Sequence, residues 1–144
     1  ICMLNLQGDF NFGSVIRSAN AFGAKEVFYC GKRKYDRRGT CGTHLYIDVV
    51  HLPELSDLYA LKDKYFLVAL ENTGKTCSMP EFAWPTAKPP LILLGEESGG
   101  LSPEVLEQCD AVVEIPQFGS VPSINAAVAA SIAMYDWISK KKES

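Results

Sequence analysis

Leu91-Ile92-Leu93-Leu94-Gly95-Glu96-Glu97-Ser98-Gly99-Gly100-Leu101-Ser102-Pro103 is the stretch on which the fold turns. Its four apolar residues suit a short strand buried on both faces. A glycine-bearing acidic turn follows, and then Ser102, a helix-capping residue type, with Pro103 in the first helical position, where a missing N–H costs nothing. Strand, loop and helix opening make half of a βα unit. Working outward, apolar runs predict further strands at residues 1–6, 26–30, about 47–51, 65–70 and 111–115. Alternating with helical segments, they argue for α/β architecture: a mostly parallel sheet flanked by helices. A chain of 144 residues, 47% hydrophobic and 22% charged, suits one domain with a core of its own, so residues 1–144 are expected to form a single domain.

The helices follow from periodicity. Asn11 is expected to cap a first helix in which Phe12, Val15, Ile16, Ala19 and Phe22 share one stripe, with Gly23 ending it. A second opens at Pro53 and carries Leu55, Leu58 and Leu61, and a short third begins at Ser102-Pro103. The last, from about residue 123 to 140, is expected to bury Ile124, Val128, Ile132, Tyr135 and Ile138, while alanines 126, 127, 129, 130 and 133 admit close neighbours. Residues 73–90 form the only long irregular stretch.

Fourteen basic against seventeen acidic residues leave a net charge of −3, so no overall positive field draws the chain onto a polyanion, and any such partner must meet a local patch. The five cysteines form no CxxC pair, which points away from a disulfide framework or a zinc site and toward a reducing, cytoplasmic setting. Prolines, glycine and polar residues break up residues 115–135, which excludes a membrane-spanning helix there. The opening Ile-Cys-Met-Leu-Asn-Leu has neither a basic segment nor an initiator Met. It reads as a strand entered directly, with upstream sequence trimmed and no secretion signal.

Polar, glycine-bearing loops follow three strand ends, at residues 8–13, 95–102 and 116–125. Ligands bind at the carboxyl ends of strands in open parallel sheets, so these loops are the expected site. Neither GxGxxG nor GxxxxGK[ST] is present, which weakens a dinucleotide or P-loop reading. Arg17 stands one turn beyond Gly13, toward the positive end of its helix, a locally unfavourable place for a cation. Ser123 and Asn125 can cap the last helix, and Glu97 alone reads as a solvated carboxylate.

Taken together, Asn11-Phe12-Gly13-Ser14-Val15-Ile16-Arg17 resembles the first motif of the SpoU/TrmH family of SPOUT RNA 2'-O-ribose methyltransferases. The segment Leu93 through Ser102 is similar to the second motif, and Ile115-Pro116-Gln117-Phe118-Gly119 with Ser123-Ile124-Asn125 to the third. Three small departures are Pro122 before the serine, Ile124 in place of leucine and Glu96 where a small residue is common. The resemblance implies a C-terminal deep trefoil knot, bound S-adenosylmethionine, a homodimer, and methyl transfer to a ribose 2'-hydroxyl of tRNA or rRNA rather than DNA. It implies catalytic roles for Asn11, Arg17, Glu97, Ser123 and Asn125. The cofactor would lie against Leu94, Gly95, Glu96, Gly100, Ile115, Pro116, Ser123 and Ile124.

A guanidinium gives up its proton only at great cost, so Arg17 is expected to act as a fork on phosphate and developing alkoxide, oriented by Glu97, rather than as a base. Lys32, Arg33, Lys34, Arg37 and Arg38 follow a strand end and are expected to bind RNA. Lys140 to Lys142 read as a frayed helix end, Trp84 and Trp137 as packing or interface residues, and neither His44 nor His51 has a partner that suggests a role. No metal site is expected. The main rival is a non-catalytic RNA-binding or partner-binding module of the same fold, favoured if the loop carrying Pro122 is blocked. A generic nucleotide-binding domain is the third reading.

Overall fold

In the computed structural model, residues 1–4, 9–31, 47–72, 76–95, 99–121 and 123–143 are described. Among them the strands β1 (Cys2–Leu4), β2 (Glu26–Cys30), β3 (Asp48–Leu52), β4 (Phe66–Leu70), β5 (Cys77–Ser78), β6 (Pro90–Leu94) and β7 (Ala111–Glu114) form one sheet in the order β3-β2-β1-β6-β4-β7-β5. Every pairing is parallel. The helices are α1 (Asp9–Ala21), α2 (Leu55–Ala60), α3 (Pro103–Gln108) and α4 (Ala126–Glu143), with single 3-10 turns at Leu61–Asp63 and Met79–Glu81.

Strand β6 shows why the sheet is covered twice. Side chains alternate across a strand, and Leu91 and Leu93 join a core with Leu58 of α2 and Val105 of α3, while Ile92 and Leu94 join one with Phe12, Ile16, Ala130 and Met134 of α1 and α4. Full burial of each large side chain contributes roughly 1.5–3 kcal/mol, so a continuous apolar run is stable only between two helical layers. Strands β6 and β7 both pair with β4, so the chain crosses it between them and then returns as α4 onto α1 and β6. The knot implied by the resemblance turns on how the chain passes through residues 73–75, 96–98 and 122, which lie outside the described residues.

Several elements differ from expectation. Helix α1 starts at Asp9, which puts Asn11 inside its first turn instead of at the cap. Pro53 stands outside α2, whose cap is Glu54: the Glu54 N–H donates to Asp57 Oδ2 at 3.0 Å, half of a capping box. Ser102 does cap α3, accepting from the Val105 N–H at 3.3 Å. Helix α4 begins at Ala126, three residues later than expected, and its buried side is Ala126, Ala127, Ala130, Ala133 and Met134. Val128, Ile132 and Tyr135, expected inside, are exposed, Tyr135 at 61%. Both sets recur at helical spacing, and the one that lets α1 approach closest is inside: Ser131 Oγ on α4 reaches Ser18 Oγ on α1 at 2.8 Å. Residues 73–90 are less irregular than expected, since β5 and a 3-10 turn fall within them.

Lys140 is no frayed end. Its Nζ donates to the carbonyls of Met79 at 2.7 Å and Phe82 at 2.9 Å and pairs with Asp136 at 2.8 Å. Trp84 donates from Nε1 to Asp136 Oδ2 at 2.8 Å, so both side chains strap residues 79–84 onto α4. His51 stacks on Tyr29, ring centres 4.6 Å apart.

Candidate functional site

A cavity of about 550 Å3 opens at the carboxyl ends of β4, β6 and β7. Leu70 closes β4 and Leu94 closes β6, and both face it, followed in the chain by Glu71 and Asn72 on one side and Gly95, Gly99 and Gly100 on the other. Val113, Ile115 and Gln117 bring the end of β7 to the wall. Ser123, Ile124, Ala126 and Ala129 complete it from the approach to α4 and from its first turn. A parallel sheet puts such loops side by side because all its strands end at one edge.

Main chain shapes this wall. A Cβ at Gly95 would lie 2.4 Å from the Gly100 carbonyl carbon and 2.6 Å from the Leu101 nitrogen, so only glycine lets the two ends of this loop meet. Gly100 has φ +64°, and a side chain there would also strike the Glu71 carboxylate at 2.6 Å. Glu71 Oε2 accepts the Leu101 N–H at 2.7 Å, tying the end of β4 to the loop after β6. Gln117 presents the opposite case: its Oε1 is shielded from solvent and has no hydrogen-bond partner among the described residues. An unsatisfied buried acceptor costs roughly 1–3 kcal/mol, which a ligand N–H or O–H can recover.

At the helix end, Asn125 Oδ1 accepts from the Ala127 and Val128 N–H groups at 2.9 and 3.2 Å and so caps α4. With its oxygen occupied in this way, its Nδ2 is the group that donates to Asn11 Oδ1, at 3.0 Å. The first and third motifs, 114 residues apart, are thereby joined.

Of the residues expected at the site, Leu94, Gly95, Gly100, Ile115, Ser123 and Ile124 line the cavity, Pro116 is half-buried beside the wall without forming it, and Asn11 and Asn125 are in contact. Arg17 is exposed on α1 and forms no part of the wall. Glu96 and Glu97 lie outside the described residues, as do Lys32, Arg33, Lys34, Arg37, Arg38 and Pro122. Sequence reasoning missed Glu71 and Gln117. The first was legible in principle, since Glu71-Asn72-Thr73-Gly74 is a fourth polar, glycine-bearing loop after a strand. Nothing local marks Gln117.

Residues 1–135 match the SpoU rRNA Methylase family. This chain belongs to that family. Among curated relatives of this SpoU chain, a putative TrmH family tRNA/rRNA methyltransferase of Staphylococcus saprophyticus is 33% identical, over 94% of the chain and 56% of the relative. The tRNA (guanosine(18)-2'-O)-methyltransferase of Aquifex aeolicus is 29% identical, over 96% of the chain and 68% of the relative. A 23S rRNA (uridine(2479)-2'-O)-methyltransferase of Streptomyces viridochromogenes is 31% identical over 91% of the chain, which covers 49% of it. The chain thus spans about half the length of two of these relatives and about two thirds of the third. Of solved structures, the SpoU methyltransferase AviRb of S. viridochromogenes in complex with AdoMet superposes with a TM-score of 0.90 at 28% identity, covering 99% of this chain and 60% of that one. The fold is that of the SpoU/TrmH SPOUT methyltransferases.

Proposed function

We propose that this chain transfers a methyl group from S-adenosylmethionine to a ribose 2'-hydroxyl of tRNA or rRNA. The observation that carries the reading is the cavity in which the second and third motifs meet, Gly95 and Gly100 from one and Ile115, Gln117, Ser123 and Ile124 from the other, with the first motif tied to the third by the Asn125–Asn11 hydrogen bond. Relatives named as 2'-O-methyltransferases of tRNA and of 23S rRNA support the reaction class, and the AdoMet complex of AviRb supports the cofactor.

The residues fit S-adenosylmethionine. The volume lies in the range of small-molecule sites, roughly 300–1,000 Å3, the bare Gly95–Gly100 backbone admits a ligand at close range, and Gln117 Oε1 is an acceptor awaiting a donor. When bound, the cofactor supplies a methyl group already activated by a sulfonium, so the protein need only align and deprotonate the hydroxyl. Ile115, Ile124 and Leu94 offer apolar walls. Ser123, on the exposed rim, can hydrogen-bond the target ribose, and Asn125 is held rigid by its bonds to Asn11 and α4. Arg17 grips the target's phosphate as a planar fork and stabilises the developing alkoxide, with Glu97 orienting it and Lys32, Arg33, Lys34, Arg37 and Arg38 holding flanking phosphates.

A homodimer belongs to the same reading. Val128, Ile132 and Tyr135 make an exposed apolar stripe along α4, with Phe118 (96% exposed) and Val121 on the loop before it, and a second copy would cover them. Light scattering should then give about twice the 15.8 kDa chain mass. The buried, free thiols of Cys2 and Cys30 on neighbouring strands support a reducing cytoplasmic setting.

The test is single-turnover transfer of a labelled methyl group to transcribed tRNA and rRNA fragments. A 2'-O-methyl group blocks alkaline cleavage of the next phosphodiester, so the label should remain in alkali-resistant dinucleotides. Arg17→Ala should lose roughly 10² to 10³ in turnover with cofactor affinity retained, and Arg17→Lys most of the same, because lysine keeps the charge but not the fork. Calorimetric binding of cofactor with no transfer to any RNA would make the chain a non-catalytic module of the fold.

A further inference from the structure

We propose that the edge of the sheet where the strands begin, opposite the cavity, is a second RNA-binding surface on which lysines hold phosphates and Trp137 carries a stacked, unpaired base. The proposal rests on the reading of RNA as substrate and adds a second place where that RNA is held.

Two adjoining hollows, of about 410 and about 540 Å3, share Pro89, Pro90, Trp137 and Lys141. Lys25 and Lys64 line the first, just before β2 and β4, and Lys88, before β6, and Lys140, in the last turns of α4, line the second. With Lys141 that is five lysines against two carboxylates, Glu26 and the Asp136 that pairs with Lys140, or a formal +3 in a chain whose whole sum is −3. Concentrating positive charge on one edge of an acidic protein is the electrostatic footprint of a polyanion site.

The lysines divide by what they already do. Lys140 is spent on Asp136 and two carbonyls, and Lys64 on Glu26 at 3.1 Å. Lys25, Lys88 and Lys141 are exposed; Lys88 donates once, to the Lys62 carbonyl at 2.9 Å, and Lys141 Nζ stands 5.0 Å from the centre of the Trp137 ring. Trp84 is locked by Asp136 and by an edge-on contact with Phe82, ring centres 5.0 Å apart, so the wall beside Trp137 is already ordered. An indole beside lysines is how proteins hold unpaired nucleotides, since every base has a face to stack. An acidic peptide would answer the charge but leave the indole without a planar partner. A five-residue strand is about 17 Å long, so a ligand that meets both edges must be a macromolecule, as a folded RNA is.

The experiment is filter binding of a tRNA transcript and of oligouridylate from about 50 to about 200 mM salt, with tryptophan fluorescence read in parallel. Lys25→Ala/Lys88→Ala/Lys141→Ala should reduce the slope of log K against log salt by about 2, which shrinks the loss of affinity over that range about 18-fold, while S-adenosylmethionine affinity stays unchanged. In a Trp84→Phe background Trp137 is the sole tryptophan, and oligouridylate should quench it; Trp137→Leu should weaken oligouridylate at least about fivefold. The exposed lysine variants carry no folding risk and decide the matter if the tryptophan variants fail to fold. An unchanged slope with methyl transfer intact overturns this proposal and leaves the methyltransferase reading standing. The expected slope change without any methyl transfer does the reverse. Equal quenching of Trp137 by polyglutamate that also displaces RNA assigns the groove to an acidic protein and overturns the proposal.

Discussion

The two ends of the sheet are built from different materials. Where the strands finish, the cavity is made by main chain: Gly95 against Gly100, a Glu71 carboxylate on a backbone N–H, and an acceptor on Gln117 that no described residue satisfies. Where the strands start, the surface is made by side chains, several of them paired, with Lys140, Asp136 and Trp84 in one cluster and Lys64, Glu26 and Tyr65 in another. A backbone wall holds its shape only while its glycines remain glycines, and an unmet acceptor is a group kept for a ligand. A wall of paired side chains loses one interaction at a time. The first end should therefore respond to substitution abruptly and the second gradually.

Gly95→Ala puts the sharpest strain on that contrast. Its Cβ meets backbone that no rotamer change can move, so we expect about 3 kcal/mol of destabilisation and a loss of cofactor affinity of about 100-fold or more, read by thermal melting and calorimetry. A variant that melts and binds like the parent would show the loop to be compliant and the comparison empty.

Gln117→Leu sharpens it with opposite signs. Removing an unsatisfied buried acceptor should raise the stability of the ligand-free protein by about 1 kcal/mol, yet weaken S-adenosylmethionine about tenfold. Loss of both would mean that Gln117 is structural.

At the other end, Lys140→Met should cost about 1 kcal/mol in urea titration, as the two carbonyls and Asp136 turn to water, with cofactor affinity untouched. Cofactor binding that falls with it would couple the two ends.

Tyr65→Phe should have the smallest effect, below about 1 kcal/mol at neutral pH. The Tyr65 hydroxyl, ahead of Lys64, holds the Glu26 carboxyl below its usual range, so its contribution is present above the ordinary carboxylate pKa and lost as pH falls through the lowered folded value. Burial, and then Glu26, raise Tyr65, whose contribution is present below the usual tyrosine pKa and lost as pH rises through the raised one. The variant should flatten both limbs of the stability profile, and unchanged limbs would remove this pair from the account.

Much of the fold was legible in the residues because its signals are local. The alternating burial of Leu91, Ile92, Leu93 and Leu94, the Ser102-Pro103 opening of α3 and the Gly23 stop of α1, where Ala24 N–H returns to the Ala19 carbonyl, each need only neighbours in sequence. The inward face of α4 was not legible, since Val128, Ile132 and Tyr135 repeat at the same period as Ala126, Ala130 and Ala133, and periodicity alone does not rank two apolar stripes. Nor was Gln117, whose importance lies in what fails to reach it.

A parallel sheet covered on both faces, the strand ends at which chemistry collects and the three motifs that place the chain in its family can all be read along the chain, because hydrophobic period, caps and glycines act over a few residues. Tertiary structure alone decided which stripe of α4 is buried, that Asn11 meets Asn125 across 114 residues, that Gly95 and Gly100 touch, and that lysines from four separate segments gather around Trp137. Those are relations between distant parts of the chain, and they exist only once the sheet has brought its strands into order.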